Sequence, residues 1–472
     1  MTGNIAVIDI GKTNAKLALV ERATLTEKAV LTRPNAVRPG PPWPHFDVDG
    51  HWDFLLEGLA QFHRAHGVDA ISITTHGACA ALLAADGTLA APILDYEHSG
   101  PDELSAEYDA IRPDFAETGS PRLPLGLNIG AQLFWQFQTD PGLKARTQSI
   151  VTYPQYWAHR LTGVAATDVT SLGCHTDLWA PGQGRISSLV DRLGIAGKMA
   201  PPRQPSDVLG PILPEVAAST GLAPDTPVVC GIHDSNASLL PHVLGRDTPF
   251  SVVSTGTWVI CMAMGGQGVT LDPAADTLIN VNALGQPVPS ARFMGGREHD
   301  LALQGATPGA VSVQDLDAVL DAEIMLLPAL APESGPFQGH SARWIGPEPA
   351  VGSGMRRAAV ACYLALVTNH CLSEIGQAGP IMVEGPFARN REYLQMLGAL
   401  ADAPVIVSDS ATGTSQGAAL LLPGADSATR DDVAAEPADP ARAARMRRYA
   451  DSWAQLASQR ADALMCTGAS GA

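Results

Sequence analysis

No apolar run in this sequence approaches the roughly 20 residues that a membrane-spanning helix needs. No basic stretch, apolar stretch and small-residue cleavage site open the chain; it enters a strand-like segment at once, Ile5–Ile10. Charge is sparse and one-sided: 17% of residues are charged, and 48 Asp and Glu face 30 Lys and Arg, for a net charge of −18. That balance argues against nucleic acid or an anionic membrane as partner, while leaving room for a local phosphate site. Cysteine is scattered, at Cys79, Cys174, Cys230, Cys261, Cys362, Cys371 and Cys466, with no Cys-x-x-Cys pair. An odd number of thiols in mostly apolar runs reads as reduced, buried cysteine in a cytoplasmic protein. A Gly-x-Ser-x-Gly elbow and a His-Glu-x-x-His helix are both missing, which weakens serine-hydrolase and zinc-protease readings. His63, His66, His233, His242 and His299 lack the spacing and carboxylate partners of a metal site.

What is present is ample core. Hydrophobic residues make up 46% of 472, more chain than one core usually supports, so two domains are expected. Ile5–Ile10 and Lys16–Val20 are apolar segments around a Gly11-Lys12-Thr13-Asn14 turn, which predicts a β-hairpin rather than a glycine loop opening a helix. The pattern recurs in the second half, where Ser251–Thr257 leads through Ser254-Thr255-Gly256-Thr257 to apolar Trp258–Met262. Two strand–turn–strand units imply a duplicated α/β architecture with a boundary near 245. We therefore expect domains at 1–245 and 246–425, then a linker and helix at 426–472. Periodicity predicts helices at Trp52–His66, Tyr153–Leu161, Met355–Ile375 and roughly Pro440–Leu464. Strands are predicted at Asp69–Thr75, Val228–Gly231 and Ile381–Val383, a hairpin at Ala78–Leu83 through Asp86-Gly87, and a Pro-rich surface loop at Ala200–Pro214.

Chemistry concentrates at four places. At the first turn Gly11 lets backbone approach a phosphate, Thr13 and Asn14 offer donors, Lys16 offers a mobile cation, and Asp9 suits a magnesium ion held through water. A hairpin turn with a solvated lysine would look the same in isolation. Thr255, Gly256 and Thr257 form a second donor-rich turn, equally readable as a plain β-turn. Asp234 follows the strand at the head of a predicted helix, where a carboxylate either caps the helix or accepts a proton from a substrate hydroxyl. Gly385 and Asn390, in Glu384-Gly385-Pro386-Phe387-Ala388-Arg389-Asn390, give backbone and amide access to a nucleoside; a strand-to-helix loop explains them nearly as well. His76, before Gly77 at the end of a strand, sits where a substrate hydroxyl could be read.

Taken together, Asp9-Ile10-Gly11-Lys12-Thr13-Asn14, Gly231-Ile232-His233-Asp234, Ser254-Thr255-Gly256-Thr257-Trp258 and Gly413-Thr414-Ser415-Gln416-Gly417-Ala418-Ala419 occur in the order of the FGGY carbohydrate kinases. The chain resembles that family over residues 4 to 422. The resemblance implies two actin-like (ribonuclease H-like) α/β domains with an interdomain cleft. It also implies ATP and Mg2+ as cofactors and a small-molecule sugar or polyol as substrate. On that resemblance Asp9 organises magnesium; Gly11, Thr13, Asn14 and Lys16 face the phosphates, with Thr255, Gly256 and Thr257 gripping them from the second domain. Gly385 and Asn390 lie along the nucleoside, and His76, Gly77, Glu97 and His233 fall at the sugar. Asp234 is the implied catalytic base.

The His-Asp pair and the second turn look most similar to the rhamnulokinase branch. Two departures stand out. The family's Trp/Tyr-x-Asp-x-Arg sugar segment appears only as Asp95-Tyr96-Glu97-His98-Ser99, without its arginine, and a Gly-Gly-Gly nucleoside loop has become Glu384-Gly385-Pro386. The expected reaction is in-line phosphoryl transfer from MgATP to a ketose or polyol hydroxyl of rhamnulose, fuculose or xylulose type, with domain closure excluding water. A non-catalytic sugar or nucleotide sensor on the same scaffold is the alternative, and an actin-like filament a third. A homodimer is the assembly entertained, with no nucleic-acid or membrane partner.

Overall fold

The computed structural model describes residues 3–306, 309–408, 413–423 and 432–459. The chain divides into two units: residues 1–246, 279–287 and 411–429 form the first, and residues 247–278, 288–410 and 430–472 the second.

In the first unit β1 (Asn4–Ile10) and β2 (Asn14–Glu21) form the antiparallel hairpin, with Asp9 opposite Lys16, and β3 (Glu27–Pro34) extends it. The Gly11 N–H closes the turn on the Asn14 carbonyl at 2.9 Å. On its other edge β1 runs parallel to Ala70–Thr75, which puts Thr74 beside Asp9. Pro227–Val229 and Ile232–His233 pair parallel with that strand in turn. Central strands of this kind bury both faces, and alternation sorts their side chains. Ala6, Ile8 and Ile10 point to the face packed by Leu55, Leu59 and Phe62 of the helix Val48–His66. Ile5 and Val7 point to the other face, where they meet Ala237 and Leu240 of the helix Asp234–Gly245 and the run Ala418–Leu422. Asp9 shares the odd-numbered face, so period-two alternation aims it at the two helices that carry Asp234 and Thr414.

The second unit repeats the central motif. Phe250–Thr255 pairs antiparallel with Val259–Met264 and parallel with Ile381–Glu384, and Val405–Ser408 follows in parallel. The helix Gly354–Glu374, capped by the Ser353 side chain on the Arg356 N–H, is buried along nearly its whole length. The terminal helix Pro440–Ala457 inserts Met446, Tyr449 and Trp453 into the same core; the Tyr449 hydroxyl donates to the Ile324 carbonyl at 2.7 Å, and the Trp453 indole N–H to the Leu326 carbonyl at 2.8 Å.

Several expectations are corrected. The segment 200–214 is not all loop: Val208–Pro211 joins the main sheet antiparallel to Pro227–Val229, its single proline, Pro211, tolerated at an edge. The hairpin across Asp86-Gly87 is present but short, the Ala84 N–H donating to the Thr88 carbonyl and the Ala90 N–H to the Leu82 carbonyl, both at 2.7 Å, while Ala80–Leu83 takes Ser149–Thr152 as its longer partner. The first helix begins at Val48, ahead of the apolar periodicity, because the Asp47 side chain caps it through the Gly50 N–H. The units are also discontinuous where contiguous domains were expected. The first takes back 279–287 and 411–429 because Ala418–Leu422 cover its sheet, and the terminal helix belongs to the second unit's core rather than to a separate tail. Six cysteines are buried and free; Cys466 lies outside the described residues, as do positions 460–464 of the expected terminal helix and much of the linker.

Candidate active site

Two carboxylates approach one another in the first unit. Asp9, one residue from the end of β1, accepts hydrogen bonds from the Thr414 hydroxyl and, at 3.4 Å, from the Ser415 hydroxyl. Burial holds its carboxyl above the ordinary range, and the like charge of Asp234 adds to that, against the Thr414 bond and the charge of Lys16. Asp234 is the first residue of its helix, with His233 at the capping position. Its Oδ1 accepts from the Ser235 N–H at 2.6 Å and lies 3.2 Å from His233 Nε2. Among the described residues Oδ2 has no such partner, and the side chain is 31% exposed.

Behind this pair stand two buried imidazoles. His76 bonds through Nδ1 to the Gly77 carbonyl at 2.9 Å, while Nε2 is buried without a partner. Burial drives its pKa down to about 4, which keeps the ring neutral. Burial pushes His233 down as well, but the neighbouring Cys174 sulfur and the Asp234 carboxylate outweigh it and raise its pKa to about 10. Gly77 is needed where it is: a Cβ there would come within 2.7 Å of His233 Nε2. Thr13 and Asn14 are exposed at the hairpin tip. Lys16 shares the face of Asp9, yet its ammonium runs back along the sheet to Glu27 at 2.6 Å, away from the turn. Glu97 lies near Lys12, with Glu97 Oε2 3.1 Å from Lys12 Nζ.

In the second unit the Thr255 hydroxyl donates to the Glu384 carbonyl at 2.5 Å and accepts from the Phe387 N–H at 3.1 Å. Its one donor is thus committed to holding the 384–387 loop, leaving Gly256 and the exposed Thr257 as the accessible part of the turn. Gly385 adopts φ 83°, and a Cβ there would sit 2.0 Å from the Thr255 carbonyl oxygen, so strand end and loop are in backbone contact. Asn390 caps the helix Arg391–Ala401 through the Tyr393 N–H at 3.0 Å and lines a cavity of about 380 Å3 with His299, Arg357, Pro386 and Arg389.

Residues 4–241 match the N-terminal domain of the FGGY family of carbohydrate kinases, and residues 247–431 match the carbohydrate kinase FGGY C-terminal domain. The chain belongs to this family. FGGY kinases are ATP-dependent phosphotransferases with a two-domain actin-like fold. A carbohydrate kinase from Novosphingobium aromaticivorans has a similar structure, with a TM-score of 0.90 and 38% identity over 97% of this chain and 98% of that one. The L-fuculokinase of Escherichia coli K12 is 24% identical over 88% of this chain and 91% of its own length. The match to the L-fuculokinase of Salmonella typhi, also 24% identical, spans 56% of this chain and 57% of that protein. A xylulose kinase from Rhodospirillum rubrum shares the fold at 22% identity, with a TM-score of 0.76 and coverage of 96% and 98%. No helix among the described residues is long and apolar enough to cross a membrane.

Sequence reasoning missed three features that adjoin the candidate residues. Thr414 was visible only as a residue in the Gly413–Ala419 motif, and nothing local says that it holds Asp9. Gly296 was overlooked, although a Gly-Gly pair opening a helix was the available signal; a Cβ there would meet the Gly256 carbonyl oxygen at 2.2 Å. Lys12 received no role, because spacing alone does not tell which lysine of a hairpin faces a ligand.

Proposed function

We propose that this FGGY kinase transfers the γ-phosphoryl group of ATP to a hydroxyl of a ketose or polyol, of rhamnulose, fuculose or xylulose type, with Asp234 as general base. The observation that carries the reading is the convergence of Asp9 and Asp234 on one face of the first unit, Asp234 keeping one carboxylate oxygen unpaired and its charge acting on buried His76, whose Nε2 has no partner. Asp234 Oδ2 takes or orients the proton of the attacking hydroxyl, while His233, the Ser235 N–H and the helix terminus fix Oδ1. His76, Gly77, His233 and Glu97 are the proposed sugar contacts. Gly11, Thr13 and Asn14 in the first unit, and Gly256, Thr257, Gly385 and Asn390 in the second, are the proposed nucleotide contacts. Thr255 acts by shaping its loop and Lys16 by its charge near Asp9.

The residues present fit a magnesium ion held mainly by water and phosphate. No group of three or more His, Cys, Asp or Glu side chains among the described residues forms a cage, and a buried carboxylate with a raised pKa gains from a nearby cation. Asp9 would hold it, and its charge would neutralise the phosphate oxygens. Free, buried thiols and ATP dependence support a cytoplasmic location.

The test is Asp234→Asn, with ADP release measured across ketoses and polyols and product regiochemistry determined. Turnover falls by about 10²–10⁴-fold, the range for loss of a general base, while ADP binding measured by calorimetry persists. Near-normal turnover in the variant overturns the base assignment. A wild-type enzyme that releases no ADP with any acceptor, yet binds one, leaves the sensor reading instead.

A further inference from the structure

Lys12 sits in the middle of the hairpin turn proposed to meet the phosphates, although the sequence alone gives it no role. Its side chain goes elsewhere. Lys12 Nζ hydrogen-bonds Asp95 Oδ1, lies 3.1 Å from Glu97 Oε2, and sits 4.5 Å from the Tyr96 ring centroid and 5.3 Å from that of Phe46. Those two rings are the same ones that flank His76, at 5.1 Å for Phe46 and 5.3 Å for Tyr96. The ammonium and the buried imidazole with its unpaired Nε2 therefore share two aromatic walls. The charges of Asp234, Lys12 and His233 all act on His76, which places Lys12 within the same small electrostatic neighbourhood as the proposed base. Lys12 keeps a quarter of its side chain exposed, so two carboxylates hold its head in place without sealing it off from a ligand.

Resting on the proposed kinase reading, we infer that Lys12 is a sugar-positioning residue. It supplies ammonium N–H donors to acceptor hydroxyls from within an aromatic and carboxylate cluster, and it does not ligate the nucleotide phosphates. Asp95 and Glu97 serve the cluster as acceptors for the same hydroxyls, an arrangement of donors and acceptors suited to a polyhydroxylated ligand. Two carboxylates against one ammonium leave the cluster with a net negative charge, and the protonated His233 beside Asp234 does no more than balance that carboxylate. The acceptor class this selects is a neutral ketose or polyol. An aldonic acid of similar size would bring a carboxylate against an excess of like charge and is disfavoured. The missing arginine of the 95–99 segment is thereby replaced in kind, by a cation delivered from a different element, the β1–β2 turn.

The experiment compares Lys12→Ala and Lys12→Arg with the wild-type enzyme, titrating the best neutral acceptor and ATP separately. Loss of a charged hydrogen bond to substrate raises the KM for the sugar ten- to a hundredfold in Lys12→Ala, with the KM for ATP and ADP binding by calorimetry within twofold. Lys12→Arg restores the sugar KM to within about threefold of wild type, since it returns a cation to the same place. Should Lys12→Ala fail to fold, Lys12→Met, which keeps the aliphatic stem over the aromatic rings, takes its place. In a parallel arm, wild-type enzyme disfavours an aldonic acid against its neutral counterpart, and Glu97→Gln narrows that preference about tenfold. A rise in the KM for ATP without one for sugar, or no change in either, overturns the inference while leaving the kinase reading intact. A wild-type enzyme that turns over no neutral sugar overturns the kinase reading first, and this inference with it.

Discussion

Replacing Gly417 by alanine tests whether the two helices that bring Asp234 and Thr414 to Asp9 are held at a fixed spacing. A Cβ on Gly417 would lie 1.8 Å from the Ala237 carbonyl oxygen and 2.5 Å from its carbon, where real Cβ atoms essentially never come under 3.0 Å. Both obstructing atoms are backbone, so no rotamer change relieves the clash, and the short helix Thr414–Ala419 must move by more than ~1 Å relative to Asp234–Gly245. Overpacking of this kind costs about 1–3 kcal/mol, or about 2–4 °C in Tm for each kcal/mol in a unit of this size. The same displacement takes the Thr414 hydroxyl from Asp9 and shifts Asp234, and a misplacement near 1 Å can lower turnover by about 10²-fold. Calorimetric melting and steady-state kinetics on Gly417→Ala read both effects. Gly182→Ala, in the same unit with no heavy atom within 4 Å of its Cβ position, is the matched control and should leave both unchanged. Wild-type Tm and turnover in Gly417→Ala would refute the claim that backbone contact between these helices sets the carboxylate geometry.

Two further outcomes follow from the same interactions. Asp9→Asn keeps an acceptor for Thr414 and removes a buried charge. Because the folded state raises the Asp9 pKa above 3.8, the stability linked to its proton is present at low pH and lost as pH rises through the folded value. The variant is therefore more stable than wild type at neutral pH, by a margin that shrinks toward pH 4, while turnover falls; an equal margin at both pH values, or a lower Tm at pH 7, would contradict the burial argument. Thr255→Val leaves the Glu384 carbonyl and the Phe387 N–H without their shared hydroxyl, a loss of about 1–3 kcal/mol. The KM for ATP should rise with the loop loosened, and an unchanged melting curve would show that this hydroxyl does not hold it.

Much of this arrangement was legible because it is local. Apolar segments around glycine turns identified both hairpins, and alternation along Ile5–Ile10 separates Asp9 from the residues under the first helix. What escaped is long-range. Thr414 reaches Asp9 across 405 positions, which no periodicity records. Lys12 lies within the turn and Lys16 just beyond it, and only the partners decide between them: Asp95 and Glu97 on a distant loop draw one, Glu27 on β3 the other. Val208–Pro211 reads as loop because Pro211 and the prolines on either side mask a strand that needs only one hydrogen-bonded edge. The Thr255 hydroxyl is a further instance: a side chain suited to phosphate had its donor claimed by a carbonyl 129 residues away.

The interrupted path of the first unit has a consequence for how the protein is made. Ile5, Val7, Ala18 and Val20 leave the ribosome early, yet part of their apolar cover, Ala418–Leu422, is among the last of the chain to be synthesised. At about 5–20 residues per second, the nascent sheet waits on the order of tens of seconds with that face only partly shielded. A ribosome that stalls anywhere in the second unit therefore releases a fragment whose earliest strands are still sticky, so this fold should lean on nascent-chain chaperones more than a protein with consecutive domains.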